Sequence, residues 1–386
     1  MRIRSCLFLL CEIMYNKEQQ QTNSHEKQTK MKKVLAILFA MAMVIAVANL
    51  MTGCTKEGPQ GEQGPAGTNG TNGTNGEDGE DANATCTQCH NFSDELVAKI
   101  AQYDHSQHAE AETVFENAVG CAPCHDSQGF IEVVETGLDE TAEVISDPAP
   151  INCRTCHKIH DTYTTEDYAL RYNSPVALRI GGELNLSGGS GNANLCSKCH
   201  QPRKRTPWPD DAAADSLTPT SFRYNPHYGT QSTILAGMGA WELPGVGTYG
   251  NSPHRDALSC TDCHGAEAVG IQGGGHSLRM AYELEGEESE NVEACQTCHP
   301  DLESFDYEGV QTEIAELELQ LEELLIAKGI MDPETGGVFP GKTYHKNELR
   351  VMWNWGLVHY DRSAGVHNYK YSRDVLQGGI DYLNAN

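Results

Sequence analysis

Two long stretches of the chain carry a regular hydrophobic pattern. From Thr312 to Lys328 the apolar residues Ile314, Leu317, Leu321, Leu324 and Leu325 recur at helical spacing among glutamates, which predicts an amphipathic helix that Gly329 stops. Turn signals at Asp332-Pro333 and Gly336-Gly337 precede a second helical stretch, which carries Leu349, Met352, Trp353, Leu357 and Val358 toward His367. The simplest arrangement is a C-terminal helix pair within residues 308–386, packed antiparallel. A third pattern differs in kind: Val34 to Leu50 runs without a polar residue apart from Asn49.

That apolar run follows Lys32 and Lys33, so residues 31–53 read as a signal peptide and the chain as exported. The string Met51-Thr52-Gly53-Cys54 resembles a bacterial lipobox, with Met in place of the usual Leu, and implies lipid modification of Cys54. An uncleaved membrane anchor is the alternative, because 17 residues lie near the lower limit for a spanning helix. The Gln-rich residues 1–30 fit neither reading and are taken as an upstream extension, with translation beginning at Met31. A lipid anchor places the protein on a bacterial membrane, the outer membrane by preference, facing periplasm or cell exterior. From Gly58 to Gly79 glycine stands at every third place, a collagen-like period with only Pro59 and Pro65 to support a triple helix. Residues 54–82 are therefore read as a hydrophilic tether, which fully extended reaches about 75 Å.

Composition narrows the partners. Acidic residues outnumber basic ones 54 to 27, a formal charge of -27, so nucleic-acid backbone is excluded and anionic lipid is repelled. The segment before Cys54 holds more basic than acidic residues, which leaves the exported part more acidic still. With 39% hydrophobic and 7% aromatic residues, an ordinary apolar core looks thin for 386 residues.

Cysteine and histidine supply the chemistry. Beyond the tether, Cys-x-x-Cys-His occurs six times: Cys86/Cys89/His90, Cys121/Cys124/His125, Cys153/Cys156/His157, Cys196/Cys199/His200, Cys260/Cys263/His264 and Cys295/Cys298/His299. Composition alone would give roughly 0.02 such strings. Zinc ribbons would leave six placed histidines unexplained, and disulfides give no reason for a histidine after every second cysteine. Two thiols at this spacing can form thioethers to the vinyl groups of a haem, with the following imidazole under the iron. Six c-type haems are the expected cofactors. In about 300 residues, porphyrin faces rather than Leu and Phe would then fill the interior, giving a mainly α fold with long ligand-bearing loops and little sheet.

Nine further histidines and four methionines follow the signal, so histidine supply exceeds what six distal positions need. The strings Ser106-Gln107-His108-Ala109, Cys156-His157-Lys158-Ile159-His160, Pro226-His227-Tyr228-Gly229, Ser252-Pro253-His254, Gly275-His276-Ser277 and Gly365-Val366-His367-Asn368 are similar to distal-histidine segments of the bacterial multihaem cytochromes c. That is the cytochrome c-552/c-554, nitrite reductase and hydroxylamine oxidoreductase-like group, and the resemblance covers residues 83–386. It implies a multihaem cytochrome c fold with His108, His160, His227, His254, His276 and His367 as distal ligands. His105 is the competitor of His108, and His345 and His359 read as surface or helix-packing residues. His160 stands three places past a proximal ligand, too close to span its own haem, and so reaches a neighbour's. Arg154, Lys158, Lys198, Arg203, Lys204 and Arg205 either pair with haem propionates or are ordinary solvated charge.

The function this implies is electron transfer between redox partner proteins or an external acceptor, in anaerobic or extracellular respiration, with no catalytic residue assigned. The alternative is a reductase of nitrite, hydroxylamine or a similar small oxidised compound. Nitrite reductases of this group typically carry one motif ending in Lys, and here all six end in His. In that group long C-terminal helices often form a dimer interface, which makes a homo-oligomer an expectation of the resemblance.

Overall fold

The computed structural model describes residues 86–386, apart from Gln88, Phe92, 111–113 and Glu285. The chain divides into two units, 1–76 and 77–386, and every described residue falls in the second. The upstream extension, signal peptide, Cys54 and glycine-triplet tether lie outside the described residues. Among those described, no helix is long and apolar enough to cross a membrane.

The protein is mainly helical with long loops and little sheet. Five helices exceed two turns: α1 (Asp94–Asp104), α2 (Ser127–Thr136), α3 (Val310–Ala327), α4 (Lys346–His359) and α5 (Tyr369–Ala385). Between α2 and α3 the chain runs as loops interrupted by short helical turns and short antiparallel ladders, among them β1 (Val176–Ala177) with β2 (Glu183–Leu184). The strand β3 (Ser216–Leu217) reaches across the sequence to β8 (Tyr344–His345), with Ser216 opposite His345. Hairpins β4 (Ala281–Leu284) with β5 (Glu287–Glu290) and β6 (Met331–Asp332) with β7 (Gly337–Val338) complete the sheet content described.

Helix boundaries follow local chemistry. Ser93 caps α1 by accepting from Leu96 N, and Asp94 and Glu95 sit where the helix dipole favours negative charge. Asp126 caps α2 through Gly129 N at 2.6 Å, and Gly137 in the left-handed region ends it. His345 and Glu348 form a reciprocal capping box at the start of α4.

The C-terminal region departs from expectation in two ways. The anticipated pair, α3 and α4, is joined by a third helix, α5, which packs on both. The three enclose an apolar core in which Ile314, Leu321 and Leu325 of α3, Leu349, Met352 and Leu357 of α4, and Val375 and Leu376 of α5 have no exposed surface. Apolar residues are thus scarce overall but concentrated, and this region has the protein interior that composition seemed to deny it. Gly378-Gly379 inside α5 argues against a helix on propensity, at about 1 kcal/mol per glycine. Packing overrides it, because a Cβ at Gly379 would stand 2.9 Å from Leu321 and 3.3 Å from Val351. Glycine there lets the three helices close.

Helix α4 also anchors the loop before it in space. Trp353 Nε1–H donates to the carbonyl of Gly239 at 2.8 Å, and the Asn354 side chain both accepts from Trp241 N (2.7 Å) and donates to Trp241 O (2.8 Å). The core thereby holds the loops that carry histidines 227 to 276.

Candidate metal centres

Each Cys-x-x-Cys-His segment folds as about one helical turn. The histidine N–H donates to the first cysteine's carbonyl at 2.8 Å for His90, 3.2 Å for His125, 2.9 Å for His157 and His200, and 2.8 Å for His299. Cys260–His264 is a short α-helix. Such a turn puts positions i, i+3 and i+4 on one side, so two thiols and an imidazole share a face. Asn152 with Thr155, and Ser259 with Asp262, form capping boxes that set the third and fifth turns. The twelve cysteines are free thiols, and no cluster of three or more His, Cys, Asp or Glu side chains suited to a bare metal ion occurs among the described residues.

The thiols are not equally enclosed, which corrects the expectation that the haem sites would fill the interior. Cys86, Cys153 and Cys298 are exposed, while the other nine, Cys121 among them, are half-buried. Cys298 shows the departure most clearly. Its N–H donates to Cys295 O at 3.0 Å, so it keeps its place in the turn, but Gln296, Thr297 and Pro300 around it are exposed as well. The sixth motif is thus a surface site, with Cys298 on its solvent side and Cys295 on the side facing the fifth motif's Cys263.

Every motif histidine faces one of the six distal candidates. Ring centroids are 6.2 Å apart for His90 and His160, 6.1 Å for His200 and His108, and 6.1 Å for His125 and His227. They are 6.3 Å apart for His157 and His276, His299 and His254, and His264 and His367. The interplanar angles meanwhile range from 25° to 79°. Rings in direct contact behave otherwise: His359 lies 4.5 Å from Trp355 when nearly parallel to it. A constant separation with free rotation is the geometry of two ligands on one axis through a spacer of fixed length. Two metal–nitrogen bonds of about 2.0 Å, plus about 1.1 Å from each nitrogen to its ring centre, give about 6.2 Å. The residues therefore fit an iron between each pair.

Second partners orient the rings. The Nδ1 atom of His157 meets Tyr168 O at 2.6 Å, that of His264 meets Leu278 O at 2.9 Å, and that of His254 meets Val366 O at 2.9 Å. His200 Nδ1 meets Gln231 Oε1 at 3.1 Å, and His367 Nδ1 meets the buried Asp361 at 2.7 Å. A proton held on Nδ1 leaves Nε2 as the lone-pair nitrogen, the state an iron ligand requires. Burial reinforces this by disfavouring the imidazolium, pushing His108 and His227 down to about 4; for His227, Arg205 and Arg203 add to the effect.

Two distal histidines sit on strained backbone, His160 at φ 71° and His227 at φ 72°. The His160 turn is held by Asp167, which is 3% exposed and accepts from His160 N (2.8 Å), Thr162 N (2.7 Å), Thr162 Oγ1 (2.7 Å) and Tyr163 N (3.0 Å). Burial raises its pKa, but these bonds outweigh burial and hold the carboxyl below its ordinary value. A depressed carboxyl contributes stability that is present above the unfolded pKa and lost as pH falls through the folded one. Asp167→Asn should therefore loosen the His160 turn at neutral pH and remove its acid sensitivity below the usual carboxylate range. The low-spin absorption of the His90 centre, followed against pH, checks this; an unchanged titration contradicts it.

The motifs also adjoin one another in an order different from the sequence. Tyr168 hydrogen-bonds Cys89 through its side chain and His157 through its carbonyl, linking the first motif to the third. Cys156 lies beside Cys196 and Cys199, linking third to fourth. The fourth touches both the second, through Cys199 and Cys124, and the fifth, through Cys196 and Cys260. Cys263 lies beside Cys295 of the sixth. The result is a line, first–third–fourth–fifth–sixth, with the second branching from the fourth. The exposure of Cys86 and Cys298 follows from this order, since they belong to the two motifs at the ends of the line.

The other candidates fall elsewhere. His105 is exposed at the end of α1, His345 caps α4, and His359 packs against Trp355 with Nδ1 2.6 Å from Glu318. Arg203 and Arg205 donate to the carbonyls of Gly120 and Asn225, both at 2.6 Å, Lys198 lies over Tyr172, Lys204 lies over Trp208, and Arg154 and Lys158 flank the third motif. Asp167, Gln231 and Arg171 were not legible as site residues. Arg171 is nearly buried, donates to the carbonyls of Arg154 and His157, and lies 3.8 Å from Asp161, so it ties the third motif to the His160 turn.

No protein-family model matches the chain, and no curated protein sequence does. Among solved structures it is similar to the outer cell wall cytochrome OcwA, at 16% sequence identity and a TM-score of 0.42, over 74% of this chain and 50% of that one. The chain spans about half the length of that protein.

Proposed function

We propose that the chain is an electron carrier, a six-haem c-type cytochrome with two histidines on every iron, exported and anchored to a membrane by lipid on Cys54. The observation that carries the reading is the set of six histidine pairs at 6.1 to 6.3 Å, one member of each closing a Cys-x-x-Cys turn. Haem bound in this way supplies reversible one-electron chemistry. The chain's own groups hold it: twelve thiols for the vinyl groups, His90, His125, His157, His200, His264 and His299 as proximal ligands, and His160, His227, His276, His108, His367 and His254 opposite them in that order. The Nδ1 partners fix ring orientation and basicity, and arginines 203 and 205 are placed to neutralise propionates.

Since each proximal ring faces a second imidazole, no open position is left for a small substrate, which favours a carrier over a nitrite or hydroxylamine reductase. Redox proteins or an external acceptor in anaerobic or extracellular respiration would be the partners, with the tether setting the distance from the membrane. Electron paramagnetic resonance of the purified protein tests the reading. Six low-spin signals that nitrite and cyanide leave unmoved are expected; one high-spin signal that shifts with nitrite would establish the reductase instead.

A further inference from the structure

The branched line of motifs has three ends, and each carries an exposed tyrosine against a histidine ring. Tyr163 lies 5.5 Å from His160, Tyr228 5.3 Å from His227 and Tyr307 4.4 Å from His299, with 59%, 55% and 41% of their surfaces exposed. Among the described residues, the rings of the three inner pairs have no aromatic contact outside the pair. The ends differ in charge. Around His299 the exposed side chains include Glu288, Glu290, Glu293 and Glu303, as expected of so acidic a chain.

The His125–His227 end is cationic. Arg179, Arg203 and Arg205 act electrostatically on His227, Arg223 stands beside Arg205, and Lys198 beside Cys124. Arg179 donates to Gly120 O at 3.3 Å and to Asp139 O at 2.8 Å, and Arg203 and Arg205 likewise bond carbonyls. The arginines that form ion pairs among the described residues are others: Arg171, Arg255, Arg279, Arg350 and Arg373. Glu116, beside His125, and Glu140, beside Gly120, are the carboxylates facing the group. Two propionates of a haem at this site would engage two of five cations and leave a positive surplus. Phe222, Arg223 and Tyr228 are exposed next to it. Aromatic rings with arginine form the composition of a protein interface, and a charge of -27 elsewhere repels any acidic body from the remaining surface.

We propose that the His125–His227 end is the docking surface for the acidic face of a partner electron-transfer protein. The proposal deepens the carrier reading and rests on it. Flavodoxin, an acidic electron-transfer protein, serves as the probe, titrated calorimetrically into the mature holoprotein at low and at about 0.2 M salt. Binding should weaken with salt, fall at least tenfold in Arg223→Glu and severalfold in Tyr228→Ala, and stay unchanged in Glu288→Gln. Equal affinity for wild type, Arg223→Glu and Arg205→Gln overturns the proposal. So does an end that serves only small anions, where ferricyanide oxidises wild type faster than Arg223→Glu while flavodoxin binds neither. Loss of haem would fail the carrier reading separately, since calorimetry needs no colour.

Discussion

Replacing His108 with alanine is expected to convert one of six iron centres to high spin and to divide the array into separate arms. His108 faces His200 at 6.1 Å, and the His200 motif is the one that touches three others. His200 is fully enclosed and His108 nearly so, so neither ring is replaced by bulk solvent without cost. An alanine removes the second strong ligand and weakens the field on one iron. One sixth of the low-spin intensity should disappear. Stopped-flow reduction should also change from one dominant phase to several, with the slow phases retarded on the order of tenfold or more, because altered ligation shifts the potential at the junction. The same substitution at His160, at an end of the line, should give the spectral change without the kinetic one. Identical kinetics in the two variants would remove the junction from the account.

The largest effect on stability is expected at Trp353. The side chain has no exposed surface, donates its indole N–H to Gly239 O at 2.8 Å and meets Trp208 edge-on with centroids 4.8 Å apart. Truncation to alanine opens a cavity in the helical core and leaves a buried carbonyl without its donor, at a cost of about 3–5 kcal/mol. Trp353→Phe keeps most of the packing and should lose about 1–2 kcal/mol. Denaturant unfolding followed by circular dichroism separates the two. A loss below 1 kcal/mol for the alanine variant would mean that the core is not what holds the loops in place.

The sequence made some of this legible because its signals are local. Six Cys-x-x-Cys-His turns need only five consecutive residues, and α3 announces itself through Ile314, Leu317, Leu321, Leu324 and Leu325. Helix α5 has comparable spacing in Tyr371, Val375, Leu376, Ile380 and Leu383, but Gly378-Gly379 breaks the propensity, and only the neighbours Leu321 and Val351 explain why glycine is there. Partnership was out of reach for another reason. His90 meets His160 while His108 meets His200, so the pairs cross in sequence, and nothing local to either member records the other. The motif string likewise says nothing of enclosure: Cys298 and Cys199 occupy the same place in it, yet one is exposed and the other lies against a second motif. Asp167, Arg171 and Gln231 escaped notice as well, since ordinary polar residues become site residues only when folding aims them at a ligand turn. The apolar core escaped because composition averages over a chain whose hydrophobic residues are concentrated in one place.

The most direct test of the central claim is the intact mass of the exported, mature protein together with its visible spectrum. The account predicts a red protein heavier than its polypeptide by six haems that denaturation does not release. A colourless product with the mass of the bare chain, or one whose pigment washes out on unfolding, would contradict it.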